Sequence, residues 1–514
     1  MNRVMHKPKT LGAEAMAFCK AKAFGAILLI LLVQLLLLLP AAAHPPSQVS
    51  LNYDSANQSL QVTTTHTVSN PSGHYVFKVD VLKNGEMVLT KEYTSQPTGS
   101  TFTYDYPVNA TAGDVLKATA YCSIAGSRSA EITVGDVALK VMQAEEEASD
   151  LPLEKVRLPP GFKIEIYAEN LTYARSLAIS PNGTLFVGTR LPFETLDSPN
   201  GLAVYAIVDK NQNHYAEENE IFTVAEGLNN PNGVAFRDGS LYVAEIDRII
   251  RFEDIESRLA EDGGKPFEPV TVKELPQYLL HGWRYIGFGP DGKLYLAMGA
   301  ACNVCQHNDE LNGTIVRMNP DGSDMEVFAK GVRNSVGFDW DPATSEMWFT
   351  DNGRDLLGND VPSDELNHAP VAGLDFGFPT CHSGSIPDPD LGSNENYTCN
   401  QKVPPAWMLG PHVAPLGMRF YSGSMLPEEY QGSIIIAEHG SWNRDKPIGY
   451  RVAAVLLKNN TAVGQQIIAE GWLDSSANDT VWGRPVDVLS IDDGSLLVSD
   501  DLNGVIYRIS YSQN

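Results

Sequence analysis

The chain has 514 residues, of which 43% are hydrophobic and 9% aromatic, a composition that supports folded cores and argues against disorder. Its length predicts two folded units. Its formal net charge is −26, and the balance falls to −30 without residues 1–43, which hold five Lys/Arg and one acidic residue. So acidic a surface repels a phosphate backbone, which argues against nucleic acid as a partner.

Residues 1–43 have the pattern of an export signal. A basic region ends at Lys22, an apolar run covers 23–40, and three alanines at 41–43 offer a cleavage site. A cleaved signal peptide is favoured, with an uncleaved membrane anchor as the alternative, because about seventeen apolar residues nearly span a bilayer. Both predict a secreted, periplasmic or cell-surface protein. Eight Asn-x-Ser/Thr sequons fit that compartment and predict glycosylation, at Asn57, Asn109, Asn170, Asn182, Asn312, Asn396, Asn459 and Asn478.

Residues 44–135 read as a small accessory domain. The segment is rich in Ser and Thr and contains short alternating runs such as 59–63 and 75–81. An Asn-Gly turn at 84–85 joins two of the runs as a hairpin. About seven strands in so short a segment predict a β-sandwich of the immunoglobulin or fibronectin III kind. Residues 136–156, which include three consecutive glutamates, are predicted to be an acidic linker.

From residue 157 to 514 a hairpin pattern recurs, which predicts an all-β domain. Five clear copies are followed through 177–187, 234–243, 281–299, 336–349 and 488–498, and a weaker copy covers 417–436. Six copies at irregular spacing of about 50 to 90 residues indicate a six-bladed β-propeller. A solenoid is the alternative, but the lack of a short period argues against it.

Propeller geometry predicts one face where the segments before each first strand meet the segments after each second strand. His281, Arg333, Asn334 and Arg484 all precede a first strand. This rim is rich in Arg, His and Asn although the chain is strongly acidic. The asymmetry predicts a polyanionic ligand on the axis of the propeller.

The cysteines fit an oxidising compartment. Cys381 and Cys399 flank a turn-rich loop and are predicted to form a disulfide. Cys302 and Cys305 form a CxxC motif that is followed by glutamine, so it is no c-type haem site, and no second CxxC accompanies it as a zinc ribbon requires. A local disulfide is therefore favoured over a redox role. Cys122 is predicted to be buried and outside any disulfide.

Several motifs in series resemble the soluble quinoprotein sugar dehydrogenases, the glucose/sorbosone dehydrogenase family that uses pyrroloquinoline quinone (PQQ). They are LPPGF at 158–162, GVRNSVG at 331–337, AEHGSWNR at 437–444 and WGRPVDV at 482–488, and they resemble the sorbosone dehydrogenase branch most. The resemblance covers about residues 157–512 and excludes the N-terminal segment. It implies a six-bladed propeller enzyme that oxidises a sugar or related polyol or aldehyde and passes the electrons to an external acceptor.

The resemblance also implies roles for named residues. His281 matches the general base of the family, and imidazole suits that task because its pKa lies near working pH. Arg333, with Asn334 beside it, and Arg484 match positions that bind the carboxylates of PQQ. The family has a lysine near the positions of His439 and Arg444, and no residue-by-residue match exists there. A structural loop histidine and surface ion pairs are the alternatives for His281 and the arginines.

The segment 350–367 resembles the one that binds Ca²⁺ beside the quinone. Calcium takes oxygen ligands, including main-chain carbonyls, so the resemblance implies carbonyl ligands at Gly353 and Arg354 and a carboxylate ligand at Asp364. The insertion 355–363 is longer than in the glucose-oxidising branch. A solvated acidic turn at Asp364 and Glu365 is the alternative.

Three functions remain open on the sequence alone. The first is the PQQ- and calcium-dependent oxidation of a sugar-type substrate. The second is a calcium-dependent hydrolase of the lactonase type, against which Arg333 and Arg484 speak. The third is a non-catalytic recognition propeller at the cell surface. The sequence identifies neither the substrate, nor the electron acceptor, nor the oligomeric state.

Overall fold

The computed structural model describes residues 46, 48–54, 57–66, 68, 71–111, 113–123, 127–134, 151–191, 200–262, 268–278, 280–306, 309–392, 399–477 and 479–512. They fall into two compact units, Met1–Ala148 and Ser149–Asn514. The predicted export signal lies outside the described residues. No helix among the described residues is long and apolar enough to cross a membrane.

The first unit contains seven described strands in two antiparallel sheets. In chain order they are β1 Gln48–Asp54, β2 Ser59–Thr65, β3 Val76–Lys83, β4 Glu86–Glu92, β5 Thr101–Pro107, β6 Val115–Cys122 and β7 Ser127–Thr133. One sheet has the order β1-β2-β5 and the other β4-β3-β6-β7. The strands lie where the alternating sequence predicts them, including the β3–β4 hairpin at the Asn-Gly turn.

The two sheets of this unit share one hydrophobic core. In β2 every second residue is buried, which puts Leu60 and Val62 on one face. They cluster with Val79 and Val81 of β3 and Leu116 of β6, which belong to the other sheet. Period-two burial is what a strand with one core-facing side produces. The sequence pattern therefore specifies which side of each sheet faces the core.

The second unit is built from strands β8 to β36. They are β8 Phe162–Ala168, β9 Ala174–Ile179, β10 Leu185–Thr189, β11 Asn200–Ile207, β12 Ile221–Asn229, β13 Gly233–Arg237, β14 Ser240–Ala244, β15 Arg248–Phe252, β16 Val270–Glu274, β17 Ile286–Phe288, β18 Leu294–Met298, β19 Thr314–Met318, β20 Glu326–Lys330, β21 Phe338–Trp340, β22 Met347–Asp351, β23 Ser363–Ala369, β24 Leu374–Asp375, β25 Cys381–His382, β26 Ile386–Pro387, β27 Trp407–Pro411, β28 Pro415–Phe420, β29 Ile434–Glu438, β30 Arg451–Lys458, β31 Thr461–Glu470, β32 Leu473–Asp474, β33 Thr480–Val481, β34 Pro485–Ser490, β35 Leu496–Asp500 and β36 Val505–Tyr511. One α-helix, α1 Ile255–Asp262, and short 3₁₀ turns at Leu153–Lys155, Glu218–Glu220, Cys399–Gln401 and Glu428–Tyr430 complete the described elements.

Most of these strands form six antiparallel sheets in the described part of the unit. The sheets are β9–β12, β13–β16, β17–β20, β21-β22-β23-β27, β28–β31 and β34-β35-β36-β8, with β24 added in parallel to β20. The first two strands of each sheet are the hairpins that the repeat predicts, including the weaker copy at β28–β29. At the β17–β18 turn Gly292 has a φ of 79°, a conformation that glycine adopts without strain.

The last sheet joins the two ends of the second unit. Strand β8, the first of the unit, pairs antiparallel with β36, the last, from Ala168 opposite Ile506 to Phe162 opposite Tyr511. The unit also includes residues before 157, which the sequence assigns to the end of the acidic linker 136–156. Val156 is buried in a core cluster with Trp472, and Lys155 forms an ion pair with Asp474 at 2.9 Å.

Candidate functional site

A cavity of about 490 Å³ in the second unit gathers the segments that precede first strands and follow second strands. Seven of the predicted site residues line it: His281, Arg333, Asn334, Gly353, Asp364, His439 and Arg484. Residues separated by some 200 positions in the chain thus meet at one place. This convergence is what the hairpin repeat predicts.

His281 is held as a neutral base. The ring Nδ1 lies 2.8 Å from the carbonyl oxygen of Ala300. A carbonyl only accepts, so Nδ1 carries the proton and donates it, which leaves the lone pair on Nε2. Burial lowers the pKa of His281 to about 3, and the charge of Arg333 adds to this effect. The imidazole is therefore neutral at physiological pH.

The backbone at His281 packs closely against Gly299, the residue that follows β18. His281 has a φ of 50°, in the left-handed region that few side chains adopt. A Cβ at Gly299 would lie 2.6 Å from the Cβ of His281, so only glycine allows the strand end after β18 to approach this histidine. The surroundings of His281 are thus formed by the segment before β17 and the segment after β18, which belong to one sheet.

Arg333 is buried and holds loops together. Its guanidinium donates to the carbonyl and the side-chain oxygen of Asn303, to the carbonyl of Asn352 and to the carboxylate of Asp355. Four of its five N–H groups are thus used within the protein. It is 3% exposed, so the alternative of a surface ion pair is wrong for this arginine.

Arg484 lines the cavity and has donors that are not used within the described part of the protein. Its Nε donates to Asp501 at 2.9 Å, and no described residue accepts from its two terminal nitrogens. Asp501 also accepts from Arg175 at 2.6 Å and lies 3.1 Å from Nε2 of His439. Burial opposes the ionisation of Asp501, yet these three partners hold its pKa below the usual range. Burial lowers the pKa of His439 to about 4, so this histidine is a neutral donor to the carboxylate.

The lining contains more arginine than the motifs indicate. Arg175 and Arg190 join Arg333 and Arg484 at the cavity wall, and the guanidinium of Arg190 lies 3.3 Å from the ring centroid of Trp283. Arg175 was missed because it is the second residue of β9 and has the sequence context of an ordinary strand residue. A charged side chain in a strand that is otherwise buried was the available signal. Four guanidinium groups in one cavity of so acidic a chain favour an anionic ligand.

The CxxC disulfide supports this wall. The structure joins Cys302 to Cys305, and Asn303 lies between them. Asn303 lines the cavity and accepts from Arg333 through two oxygens. The bond therefore fixes the loop that orients Arg333. A second disulfide joins Cys381 to Cys399, as the spacing of those residues predicts.

The predicted calcium segment places oxygen atoms beside the cavity. Gly353 and Asp364 both line it, and the amide of Gly353 donates to Asp364 at 2.7 Å. No described residue donates to the main-chain carbonyl of Gly353 or Arg354. A Cβ at Gly353 would lie 3.0 Å from Pro362 and 3.3 Å from Asp364, so a side chain here would require these neighbours to shift by a few tenths of an ångström.

Three buried carboxyl groups adjoin this segment. Burial raises the pKa of Asp364 to about 7, that of Glu365 to about 8 and that of Asp351 to about 6. Asp364 is 2% exposed and Glu365 7%, so the alternative of a solvated acidic turn is wrong. A bound hard cation stabilises the ionised form of buried carboxyl groups that have few cations near them. These three residues therefore fit Ca²⁺.

Two predicted site residues lie outside the cavity wall. The side chain of Arg354 pairs with Asp388 and with Asp390, so this residue could offer only its carbonyl to a metal. Arg444 donates to the carbonyl of Asn359 and lies 3.5 Å from Asp360. Its guanidinium therefore holds the insertion after β22 in place rather than facing the cavity.

The chain is similar in sequence to several known proteins. The model of the TrAA12-like family matches residues 310–512, a range that contains Arg333, Asp364 and Arg484 but not His281. An uncharacterised protein of Borreliella burgdorferi is 32% identical over 382 residues, which are 72% of this chain and 93% of the relative. A pyrroloquinoline quinone-dependent pyranose dehydrogenase of Coprinopsis cinerea is 30% identical over 284 residues, half of this chain but only 36% of that enzyme.

Two solved structures have the same fold. The calcium structure of a Trichoderma reesei carbohydrate-active enzyme of family AA12 aligns with a TM-score of 0.56 at 20% identity, covering 70% of this chain and 97% of that one. The holo PQQ domain of pyranose dehydrogenase from Coprinopsis cinerea aligns with a TM-score of 0.55 at 19% identity, covering 69% and 97%. The match to the TrAA12-like family model over residues 310–512 and the shared fold make this chain similar to the soluble PQQ-dependent aldose and glucose dehydrogenases.

Proposed function

We propose that this protein is a PQQ- and calcium-dependent oxidoreductase that oxidises a sugar or a related polyol or aldehyde. The observation that carries the proposal is one cavity in which a neutral histidine base lies among four arginines. The sorbosone branch, suggested by the sequence motifs, is part of the proposal. An electron acceptor outside the chain would reoxidise the cofactor.

His281 would act as the base. When bound, PQQ supplies the electrophilic quinone carbon that accepts hydride from the substrate carbon. The hydroxyl on that substrate carbon must lose its proton in the same step, and Nε2 of His281 holds the lone pair that accepts it. The hydrogen bond to Ala300 keeps the imidazole in this tautomer and orientation.

The arginines fit a ligand with three carboxylates. Arg484 would hold one of them through its terminal nitrogens, because this residue lines the cavity and these nitrogens have no acceptor among the described residues. Arg190, stacked on Trp283, would present a second positive charge. Arg333 has one N–H left, so it would contribute mainly charge and the position of the loop that carries Asn303.

Calcium would bind beside the cofactor. The carbonyls of Gly353 and Arg354 and the carboxylate of Asp364 would be its protein ligands. The metal would supply positive charge where negative charge develops on the cofactor oxygens. Its charge would also lower the raised pKa of Asp364.

Trp442 suits the substrate end of the cavity. It lines the cavity, yet 73% of its surface is exposed. An exposed indole is a flat apolar surface with one polar edge, and it can cover the apolar face of a sugar ring. We therefore assign the substrate to the side of the cavity where Trp442 lies.

The proposal includes the architecture and location of the protein. The six sheets of the second unit would be the blades of a propeller closed by β8, and the first unit a β-sandwich of accessory function. Residues 1–43 would direct export, with cleavage favoured over anchoring, and the two disulfides fit an oxidising compartment.

Reconstitution tests the proposal. The purified protein is dialysed against chelator and then mixed with PQQ, with and without Ca²⁺, and cofactor binding is followed by absorbance. Aldoses and polyols are then added with an artificial electron acceptor. The expected result is stoichiometric PQQ binding that requires Ca²⁺, followed by reduction of the bound cofactor by at least one sugar. Failure to bind PQQ at micromolar concentration would refute the proposal.

A further inference from the structure

Two histidines and a cysteine meet in the core of the first unit. One ring nitrogen of His66, one of His74 and the sulfur of Cys122 all lie within 4.8 Å of one another. All three residues are buried, at 0%, 4% and 5% exposure. Two ligands of one metal ion lie on the order of 3.5 Å apart, so a small contraction of this cluster would give it the dimensions of a metal site.

The fold brings these residues together from both sheets. His66 follows the last residue of β2, in the first sheet. Cys122 is the last residue of β6 in the second sheet, and its neighbour across the ladder is Val76 of β3. His74 lies two residues before Val76, which places its Nε2 3.0 Å from the Cys122 sulfur. The cluster therefore lies between the two sheets, at one end of each.

A glutamine fixes the orientation of His66. The side-chain oxygen of Gln96 lies 2.7 Å from Nδ1 of His66, and its amide nitrogen donates to the carbonyl oxygens of His66 and Thr98. The amide oxygen only accepts here, so Nδ1 of His66 carries the proton and the lone pair lies on Nε2. A hydrogen bond from the distal ring nitrogen to a fixed acceptor is the usual support of a metal-ligating histidine.

The donor set indicates which metals suit the cluster. A thiolate with two imidazoles binds copper or zinc and gives no advantage to calcium or magnesium. A structural zinc site takes four protein ligands, and the described residues supply three here. Two histidines and one cysteine, with a weak or absent fourth ligand, are the set that holds copper in electron-transfer sites.

We propose that His66, His74 and Cys122 form a copper site in the first unit. His66 binds through Nε2, His74 through Nε2 and Cys122 through its thiolate. Gln96 is a positioning residue that holds the ring of His66. This site is independent of PQQ, of Ca²⁺ and of the cavity in the second unit.

The test is a titration of the full chain with Cu²⁺ under argon, after removal of bound metals by chelator. The expected result is one copper per chain and an intense visible thiolate-to-copper absorption band. Cys122→Ser is expected to abolish the band while the protein still melts cooperatively. Gln96→Leu is expected to retain the band but to weaken copper binding about 10–100-fold, the usual effect of losing the support of a ligand.

His214→Ala is the matched control, because His214 is a half-buried histidine of the second unit that lies 3.5 Å from Asp493, and its loss should leave copper binding unchanged. Binding of copper without the band, or a band that persists in Cys122→Ser, would overturn the proposal. Zinc that binds stoichiometrically and resists exchange by copper would overturn the choice of metal. Sugar oxidation by the PQQ-loaded enzyme is a separate readout, so failure of this test leaves the proposed function intact.

Discussion

Replacing His281 with alanine is expected to slow sugar oxidation by about 10²–10⁴-fold while PQQ stays bound. The loss corresponds to about 3–5 kcal/mol of transition-state stabilisation, because each factor of ten in rate is about 1.4 kcal/mol. Arg484 and the calcium segment are untouched by the change. The affinity for PQQ should therefore change by less than about threefold, well below the contribution of one charged hydrogen bond.

The structure also fixes the protonation state on which this expectation rests. Burial lowers the pKa of His281 to about 3, so at pH 5 only about one molecule in a hundred would carry the charged ring before PQQ is added. NMR titration of the cofactor-free protein should show no protonation of His281 between pH 8 and pH 5. A normal titration near pH 6.5 would refute the description of the site as desolvated.

The assay compares His281→Ala with the parent for turnover, for PQQ affinity and for melting temperature. His368→Ala is the matched control, because His368 pairs with Glu346 and stacks on Trp348 away from the cavity. It should keep the parental rate. Added imidazole is expected to restore part of the activity of His281→Ala by entering the space left by the ring. Parental turnover by His281→Ala with PQQ bound would show that this histidine is not the base.

Three further predictions test other parts of the molecule. Arg484→Ala should weaken PQQ binding about 10–100-fold because a cofactor carboxylate loses its charged partner, whereas Arg444→Ala should leave the affinity within about twofold in the same binding assay. Burial lowers the pKa of His439 to about 4 in the folded protein. Below pH 6.5 the unfolded chain therefore takes up a proton at this histidine that the folded protein does not. As the pH falls from 6.5 to 4, up to about 3 kcal/mol of the free energy of unfolding is lost. Urea unfolding should show this loss in the parent and a smaller one in His439→Gln. The second unit expressed from Ser149 should melt cooperatively by itself, and a chain shortened to begin at Leu158 should melt at lower temperature because Val156 is lost from the core.

The hairpin repeat is the pattern from which the strand positions and the place of the cavity could be predicted. Turn glycines such as Gly292 and the alternating strands around them are local signals, so the positions of the first two strands of each sheet could be read directly. The segments before those strands then had to meet, which placed His281, Arg333 and Arg484 at one cavity. The alternation of apolar residues and the turn glycines suffice for these inferences, because both patterns depend only on residues that are neighbours in the sequence.

What escaped prediction depends on contacts between distant residues. Arg175 forms an ion pair with Asp501, 326 positions later in the chain, and the sequence around neither residue predicts this contact. The cluster of the first unit is similar, because only the pairing of β3 with β6 brings His74 to Cys122. Arg444 is the opposite case, because the motif at 437–444 suggested a cofactor contact that the structure does not place at the cavity. Its side chain instead donates a hydrogen bond to a neighbouring loop.

The pairing of β8 with β36 sets the order in which the second unit can be completed. Strand β8 stays unpaired until β36, which is more than 300 positions later in the chain, has been synthesised. A message truncated anywhere before the codon for Val505 therefore yields a product in which β8 presents a bare edge of unpaired amide and carbonyl groups. Such an edge recruits other strands, so shortened products should aggregate and be degraded rather than persist as smaller folded proteins. A tag inserted after residue 514 leaves the pairing intact, whereas a tag that replaces residues 505–514 removes β36 and with it one side of the pairing.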